Sequence, residues 1–156
     1  AQLAAQSDWN FIFAAHLNGD KTLLRDVLSF WQTHSARPTI VAVQVIVADS
    51  YDTAAQLAEN VQIWGVELED GQRVTVACEE QALAFATQAG SPPRKIARRE
   101  QALLHGTAQE VMAKLNALHT QFGIDEFIID TPVAQGHARL TSLRLLAQAH
   151  NAVEVL

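Results

Sequence analysis

The chain alternates short apolar runs with segments of helical spacing. The apolar runs are WNFIFAAHL at 9–17, TIVAVQVIVA at 39–48 and FII at 127–129. Runs without polar alternation are typical of strands buried on both faces, as in a parallel sheet covered by helices. Helical patterns follow at 21–33, after Asp49-Ser50 and after Gly136. Strands that alternate with helices predict an α/β fold with parallel strands.

The stretch from 106 to 132 shows this unit most completely. Thr107 and Glu110 have the spacing of a capping box, in which each side chain binds the other residue's backbone amide. A helical apolar stripe follows, made by Val111, Leu115, Leu118 and Phe122. Gly123 is suited to the left-handed conformation that ends a helix. The apolar run at 127–129 then predicts a strand that stops at Asp130-Thr131-Pro132.

Residues 65–105 interrupt this rhythm and are predicted to form an irregular insertion. They contain a turn at Asp70-Gly71, a short helix near 79–88 and the breaker Ser91-Pro92-Pro93. A basic run follows, made by Arg94, Lys95, Arg98 and Arg99. Such a run either steers an anionic cofactor or substrate or forms a solvated linker, and the pattern favours the linker.

Two architectures fit three strand–helix units: an open doubly wound sheet and an arc of a (β/α)₈ barrel. No glycine-rich dinucleotide motif follows any predicted strand, which removes the main support for the open sheet. A barrel needs eight strands and typically about 250 residues. We therefore interpret residues 1–156 as a single partial domain, with the remaining strands supplied from upstream or by another chain.

Composition narrows the class of protein. The chain is 49% hydrophobic and carries a net charge of −6, which argues against nucleic-acid and anionic-membrane partners. Its single cysteine, Cys78, excludes an internal disulfide and fits a cytoplasmic setting. No apolar run approaches the roughly 18 residues of a membrane span. The only methionine is Met112, so we expect a fragment or a processed chain.

Three segments together carry a family resemblance: FIFAAHL at 11–17, VQVIVADSYDTAAQLA at 43–58, and the region 106–147 with GTAQEV, GIDEF and ARLTSLRLLA. They resemble the last part of the bacterial luciferase-like, flavin-dependent monooxygenases. The resemblance covers nearly the whole chain and is weakest at 65–105. It identifies the predicted strands as strands six, seven and eight of a (β/α)₈ TIM barrel.

The resemblance implies an oxidoreductase in which reduced FMN binds at the carboxyl mouth of the barrel and O₂ oxidises a small organic substrate. A flavin reductase is then a possible partner. In the family the flavin phosphate is held mainly by residues just after strand five, which would precede Ala1. Most catalytic residues lie earlier still, so no catalytic residue is carried over to this sequence.

Four residues are candidates for contact with the cofactor. His16 ends the first strand, where it either faces the flavin or hydrogen-bonds within the rim. Gln44 interrupts an apolar strand and belongs either to the flavin site or to an internal polar network. Asp130 and Thr131 end the last strand and either contact the ligand or form a turn. Asp49, by contrast, is better interpreted as a helix cap.

Several alternatives remain open at this stage. The six histidines are scattered without metal-ligand spacing, so no metal site is expected. A deazaflavin-dependent hydride transfer uses the same fold, and a non-catalytic truncated barrel that acts as a binding or scaffold module is also possible. Because a partial barrel exposes strand edges, we expect a homo-oligomer or pairing with the missing amino-terminal part. Alone, the fragment should be inactive.

Overall fold

The computed structural model describes residues 1–15, 20–99 and 102–153, which fall into two compact units. Unit 1 contains residues 1–58 together with the chain from 102 onward, and unit 2 contains residues 59–101. The elements in chain order are α1 (Gln2–Gln6), β1 (Ile12–Ala14), α2 (Lys21–His34), β2 (Ile40–Val47), α3 (Tyr51–Glu59), β3 (Ile63–Leu68), β4 (Arg73–Val76), α4 (Glu79–Ala89), β5 (Pro93–Arg99), β6 (Leu103–Gly106), α5 (Ala108–Phe122), β7 (Glu126–Asp130) and α6 (Gly136–Val153).

The sheet of unit 1 is built around β2, and all of its pairings are parallel. Ile40 pairs with Ile12 of β1 and also with Glu126 of β7, so β1 and β7 lie on opposite edges of β2. The short strand β6 pairs with the last four residues of β2, from Gln44 to Val47. The predicted α/β class with parallel strands is therefore confirmed.

Helices cover one face of this sheet. The alternate β2 residues Val41, Val43, Val45 and Val47 are at most 3% exposed. They form one core with Leu24 and Leu28 of α2 and with Val111 and Leu115 of α5. Period-two alternation places the intervening residues on the opposite face.

That opposite face is not fully covered within unit 1, which corrects the expectation of strands buried on both faces. Ile12 is 48% exposed and Ile128 is 40% exposed, although Ile46 is fully buried. These side chains are as apolar as those of the covered face. A run of consecutive apolar residues therefore indicates that both faces of a strand are suited to burial, without showing that the same chain buries them.

The local signals at the two ends of α5 behave as the sequence predicts, whereas the expected cap at Asp49 does not form. The Thr107 amide donates to Glu110 Oε2 at 2.8 Å, and the Glu110 amide donates to Thr107 Oγ1 at 3.4 Å. Gly123 ends α5 with φ +62°, in the left-handed region that glycine adopts without strain. At α3, the Thr53 amide donates to Ser50 Oγ at 3.2 Å, so Ser50 rather than Asp49 provides the cap.

A hydrogen-bond network fixes the amino ends of β2 and β7. The Thr39 amide donates to Asp125 Oδ2 at 2.8 Å, and the Asp125 amide donates back to the Thr39 carbonyl at 2.9 Å. Gln32 Nε2 donates to the carbonyls of Phe122 and Gly123, at 2.9 and 3.0 Å. This network ties α2 and the end of α5 to the two strands, at the edge of the sheet opposite to their carboxyl ends.

Unit 2 is a three-stranded antiparallel sheet in the order β4-β3-β5. Its core consists of Val66 and Leu68 of β3 with Ala82 and Ala86 of α4. The predicted turn at Asp70-Gly71 joins β3 to β4, and the predicted short helix is α4. No membrane-spanning helix exists in the described part of the chain, because none is both long and apolar enough.

The structure corrects the sequence interpretation of residues 65–105 in two ways. The region is not an irregular insertion: it includes most of β3, all of β4 and β5, and the parallel strand β6 of unit 1. The basic run is not a linker, because Arg94, Lys95, Arg98 and Arg99 lie on β5. Short strands rich in charge lack the apolar alternation on which strand prediction depends, and pairing with β3 decided their conformation.

A candidate ligand site at the carboxyl ends of the parallel strands

The carboxyl ends of β2, β6 and β7 meet at one edge of the sheet because the three strands are parallel. In parallel α/β proteins this edge is where ligands bind. On the uncovered face, Gln44 of β2 lies directly opposite Asp130, the last residue of β7. The loops that follow contain Asp49 and Ser50 after β2, and Thr131 to Val133 after β7.

Gln44 and Asp130, two of the predicted site residues, form a hydrogen bond. Gln44 Nε2 donates to Asp130 Oδ2 at 2.9 Å, and the bond is partly buried. The parallel register explains the contact, since paired residues of adjacent strands point to the same face. The amide fixes one oxygen of the carboxylate, and the second oxygen is available to accept from a ligand.

Thr131, a third predicted site residue, immediately follows Asp130 and is 2% exposed. Its Oγ1 is buried and has no hydrogen-bond partner among the described residues. An unpaired buried hydroxyl costs about 1–3 kcal/mol, so such atoms are rare in folded proteins. A turn-forming side chain would bond to nearby backbone, which the hydroxyl of Thr131 does not do. Its position suits a ligand that completes the pairing.

His16, the fourth predicted residue, lies outside the described residues, and its contact with a cofactor stays a prediction. The expectation of a metal-free site is not contradicted: within the ranges 1–15, 20–99 and 102–153, no group of three metal-ligating side chains comes together.

Sequence reasoning missed His105 and Tyr51. His105 pairs with Ile46 in the parallel register, two residues beyond Gln44, and therefore lies on the same face as the Gln44–Asp130 pair. Its ring lies 5.5 Å from the ring of Tyr51, measured between centroids. The available signal was indirect: the helix cap at Thr107 marks a strand-to-helix junction, which predicts a short strand just before it.

The turn from β6 into α5 is fixed by Gly106. Its φ is +146°, and an added Cβ would lie 2.7 Å from Glu110 Oε2. Lys114 Nζ donates to the backbone carbonyl of His105 at 2.7 Å, which anchors the carboxyl end of β6 to α5. The amide of Thr107 lowers the pKa of Glu110, with smaller contributions from the Thr107 hydroxyl, Lys114 and His105.

The charge distribution limits what this edge can hold. The segments 47–50, 105–107 and 130–133 contain no lysine or arginine, and Lys114 is engaged by the His105 carbonyl. A phosphate group therefore finds no cation in these segments. A carboxylate, a buried hydroxyl and an imidazole suit instead a neutral ring with hydrogen-bonding edges.

A separate groove of about 650 Å³ lies on the helix-covered side of the same sheet. It runs between α5, β7 and α6. Apolar side chains dominate its lining, among them Met112, Leu115, Phe127, Ile129, Leu143 and Leu146. The Gln44–Asp130 pair lies on the opposite face, so the groove is distinct from the candidate ligand site.

Comparison with known proteins shows a similarity to one bacterial monooxygenase and to one solved structure. No protein-family model matches it. It is similar to the N-acetyl-S-alkylcysteine monooxygenase of Bacillus subtilis (strain 168), with 27% identity over 150 residues that make up 94% of this chain and 45% of that protein.

The fold is shared with a solved structure. The crystal structure of apo-MsnO8 superposes with a TM-score of 0.59 at 18% identity, covering 95% of this chain and 46% of MsnO8. The chain thus spans about half the length of both proteins. These findings support an α/β chain with a parallel sheet that is similar in sequence to a monooxygenase.

Proposed function

We propose that this chain is the carboxyl-terminal part of a luciferase-like, flavin-dependent monooxygenase barrel. It contributes the last three barrel strands as β1, β2 and β7, and one wall of the cavity for reduced FMN and a small organic substrate. The observation that carries the proposal is that β2 and its three pairing partners, β1, β6 and β7, form a parallel sheet that the helices of unit 1 cover on one face only. In a barrel the other face lines the interior.

The exposed apolar residues support this proposal. Ile12 and Ile128 on the uncovered face need a cover that unit 1 does not provide. α6 also exposes apolar side chains: Leu140 is 69% and Leu143 is 40% exposed, whereas Leu146 is buried. The similarity to about half of a longer monooxygenase is consistent with a cover supplied by the other half of a barrel.

The residues at the carboxyl edge fit the ring of a flavin better than its phosphate. Asp130, oriented by Gln44, is placed to accept from a ring N–H, and the orphaned Thr131 hydroxyl is placed to donate to a ring carbonyl. The absence of lysine and arginine from the three edge segments agrees with a phosphate held by another part of the barrel. Bound reduced flavin supplies the electrons for oxygen chemistry, while these side chains bind and orient it.

The test compares the isolated chain with the longer protein encoded by its gene. We expect the isolated chain to bind FMN poorly and to oxidise nothing, whereas the longer protein binds reduced FMN and consumes O₂ with an organic substrate. Micromolar FMN binding with turnover by the isolated chain would contradict the fragment role. A longer protein that binds no flavin would contradict the monooxygenase assignment.

The absorbance spectrum of the cofactor that co-purifies with the longer protein distinguishes the proposed FMN enzyme from its main alternative, a deazaflavin enzyme. FMN absorbance supports the proposal, and deazaflavin absorbance supports a hydride-transfer oxidoreductase of the same fold. In the proposed enzyme a separate flavin reductase delivers reduced FMN, so adding a reductase with NADH should start oxygen-dependent turnover.

A further inference from the structure

The sheet of unit 2 has one apolar face and one basic face. Val66 and Leu68 of β3 pack on Ala82 and Ala86 of α4. The opposite face carries the alternate residues of the three strands: Arg73 and Thr75 of β4, Ile63, Gly65 and Glu67 of β3, and Lys95, Ala97 and Arg99 of β5. Of these, Arg73, Thr75, Lys95 and Arg99 are exposed.

Positive charge on this basic face exceeds negative charge. Its one carboxylate within the paired strands is Glu67, whose Oε1 lies 3.1 Å from Arg73 Nη2 and 3.6 Å from Arg94 Nη1. Lys95 and Arg99 form no ion pair with any described carboxylate. An otherwise acidic chain, with net charge −6, thus concentrates unneutralised cations on one small surface.

A strip of small residues, which we call the trough, crosses the middle of the basic face. Gly65 is paired with Thr75 on one side and Ala97 on the other, so three small residues lie side by side. The side chain of Arg99 lies over Gly65: a Cβ added there would collide with Arg99 Nε and lie 3.0 Å from Cζ. The absence of a side chain at residue 65 lets the Arg99 side chain lie directly against the central strand.

Edge protection alone does not account for this arrangement. Charged residues on an edge strand discourage pairing with other chains whichever face they lie on, and Arg98 of β5 is such a residue. Edge protection does not require that Arg99 fold inward over a glycine at the centre of the sheet. A guanidinium group carries its N–H groups in the fixed fork that binds oxyanions through two hydrogen bonds.

The surroundings of the basic face set the size of the anion. Glu69 and Asp70 lie at the β3–β4 turn, and Glu79 and Glu80 begin α4. Residues 59–101 contain more acidic than basic residues, so a long polyanion such as RNA would be repelled outside the trough. A compact anion that stays between Arg73, Lys95 and Arg99 avoids that repulsion.

We propose that the basic face of unit 2 is a binding site for the phosphate group of a small phosphate monoester. Arg99 binds two phosphate oxygens through its fork, and Lys95 and Arg73 add charge on either side of the trough. Because Glu67 offsets one of the three cations, the remaining double positive charge matches a divalent phosphate better than a monovalent carboxylate. This site lies wholly within unit 2 and does not depend on the proposed monooxygenase function.

The test is a calorimetric titration of the chain with phenyl phosphate at low ionic strength. We expect Arg99→Gln to weaken binding by about tenfold because it removes a charge-assisted bidentate contact. The matched control is Arg98→Gln, which removes the same charge one residue away on the face shared with Trp64. We expect it to change affinity by less than about twofold, since screening weakens a distant exposed charge. Equal losses in the two variants, or no phenyl phosphate binding at all, would overturn the proposal.

Two further titrations test the geometry and the ligand class. Gly65→Ala leaves the net charge unchanged but displaces the Arg99 guanidinium group, so it should weaken phenyl phosphate binding; unchanged affinity in a variant with wild-type unfolding would overturn the trough. Benzoate shares the ring but carries a carboxylate, and we expect it to bind at least about tenfold more weakly. Equal affinity for benzoate would overturn the assignment to phosphate.

Discussion

The hydroxyl of Thr131 is the buried side-chain oxygen without a partner in the described part of the chain. Next to it, Asp130 accepts from Gln44, so the two adjacent residues at the end of β7 differ in their hydrogen bonding. A protein that keeps an unpaired buried hydroxyl loses stability by doing so. An unpaired hydroxyl at the carboxyl edge of a parallel sheet is expected where a bound ligand supplies the missing hydrogen bond.

Thr131→Val should therefore raise the free energy of unfolding of the isolated chain, by about 1 kcal/mol, because it removes an unsatisfied polar atom and keeps the shape. Urea denaturation measures the change, and Thr131→Ser, which keeps the hydroxyl, serves as the control. If the chain belongs to the proposed flavin-dependent barrel, the same Thr131→Val change in that barrel should weaken FMN binding by about tenfold. A loss of stability in the isolated chain would show that the hydroxyl already has a partner.

The Gln44–Asp130 pair permits a second measurement at single residues. Gln44→Ala leaves a partly buried carboxylate without its amide, so we expect a loss of about 1–2 kcal/mol in unfolding free energy. A double-mutant cycle with Asp130→Ala should give a coupling of about 1 kcal/mol. His105→Ala on the same face, whose ring contacts Tyr51 instead, should be additive with Gln44→Ala. Zero coupling between Gln44 and Asp130 would contradict the hydrogen bond.

At the scale of elements, the capping box shows how a local signal becomes a pH-dependent contribution. The hydrogen bond from the Thr107 amide is the main cause that lowers the pKa of Glu110 from its ordinary value of 4.5. A carboxyl group with a lower pKa in the folded state stabilises the fold above its ordinary pKa. That contribution is lost as the pH falls through the folded-state pKa.

Glu110→Gln retains an oxygen that can accept from the Thr107 amide but does not titrate. The wild-type chain should therefore be more stable than Glu110→Gln at pH 6–7, and the difference should shrink as the pH falls below 4.5. Chemical denaturation across that range measures the difference. A gap that stays constant with pH would show that the Glu110 charge does not contribute to the cap.

The hydroxyl of the cap has an effect of its own. Thr107→Ala should destabilise the chain by about 1 kcal/mol through loss of the N-cap of α5, whereas Thr107→Ser should be nearly neutral. Thermal unfolding compares the two variants. Equal losses in both would indicate that the packing of the Thr107 methyl group, rather than its hydroxyl, stabilises the helix start.

At the scale of the whole molecule, the uncovered face of the unit 1 sheet is the dominant feature. Ile12 and Ile128 expose apolar area to water next to the site. The strands β1 and β6 border the sheet on one side of β2, and β7 borders it on the other. Exposed apolar faces and unpaired strand edges promote association. We therefore expect the isolated chain to self-associate at micromolar concentration, as measured by sedimentation velocity.

Ile128→Lys should reduce this association without unfolding the chain, because residue 128 lies on the uncovered face. The matched variant is Ile129→Lys, one residue along β7, where the side chain packs on the helix-covered core. It should destabilise the fold by more than about 2 kcal/mol. A wild-type chain that stays a stable dilute monomer would contradict the partial-barrel proposal.

The sequence by itself determined the parallel α/β class, the long helices and the helix ends, because these depend on period and on neighbouring residues. The capping box at Thr107, the left-handed Gly123 and the central strand β2 are all local in this sense. It also placed Gln44 and Asp130 on strands that the parallel register then joined.

Only the tertiary structure decided the features that depend on residues far apart in the chain. The strands β3 to β6 are short, and pairing with β3 decided the conformation of β5, whose sequence is highly charged. Cross-strand register placed His105 beside the Gln44–Asp130 pair and laid Arg99 over Gly65. On α6, Leu146 is buried while Leu140 and Leu143 are exposed. Packing decides which part of an apolar helix surface is covered, and periodicity alone does not predict it.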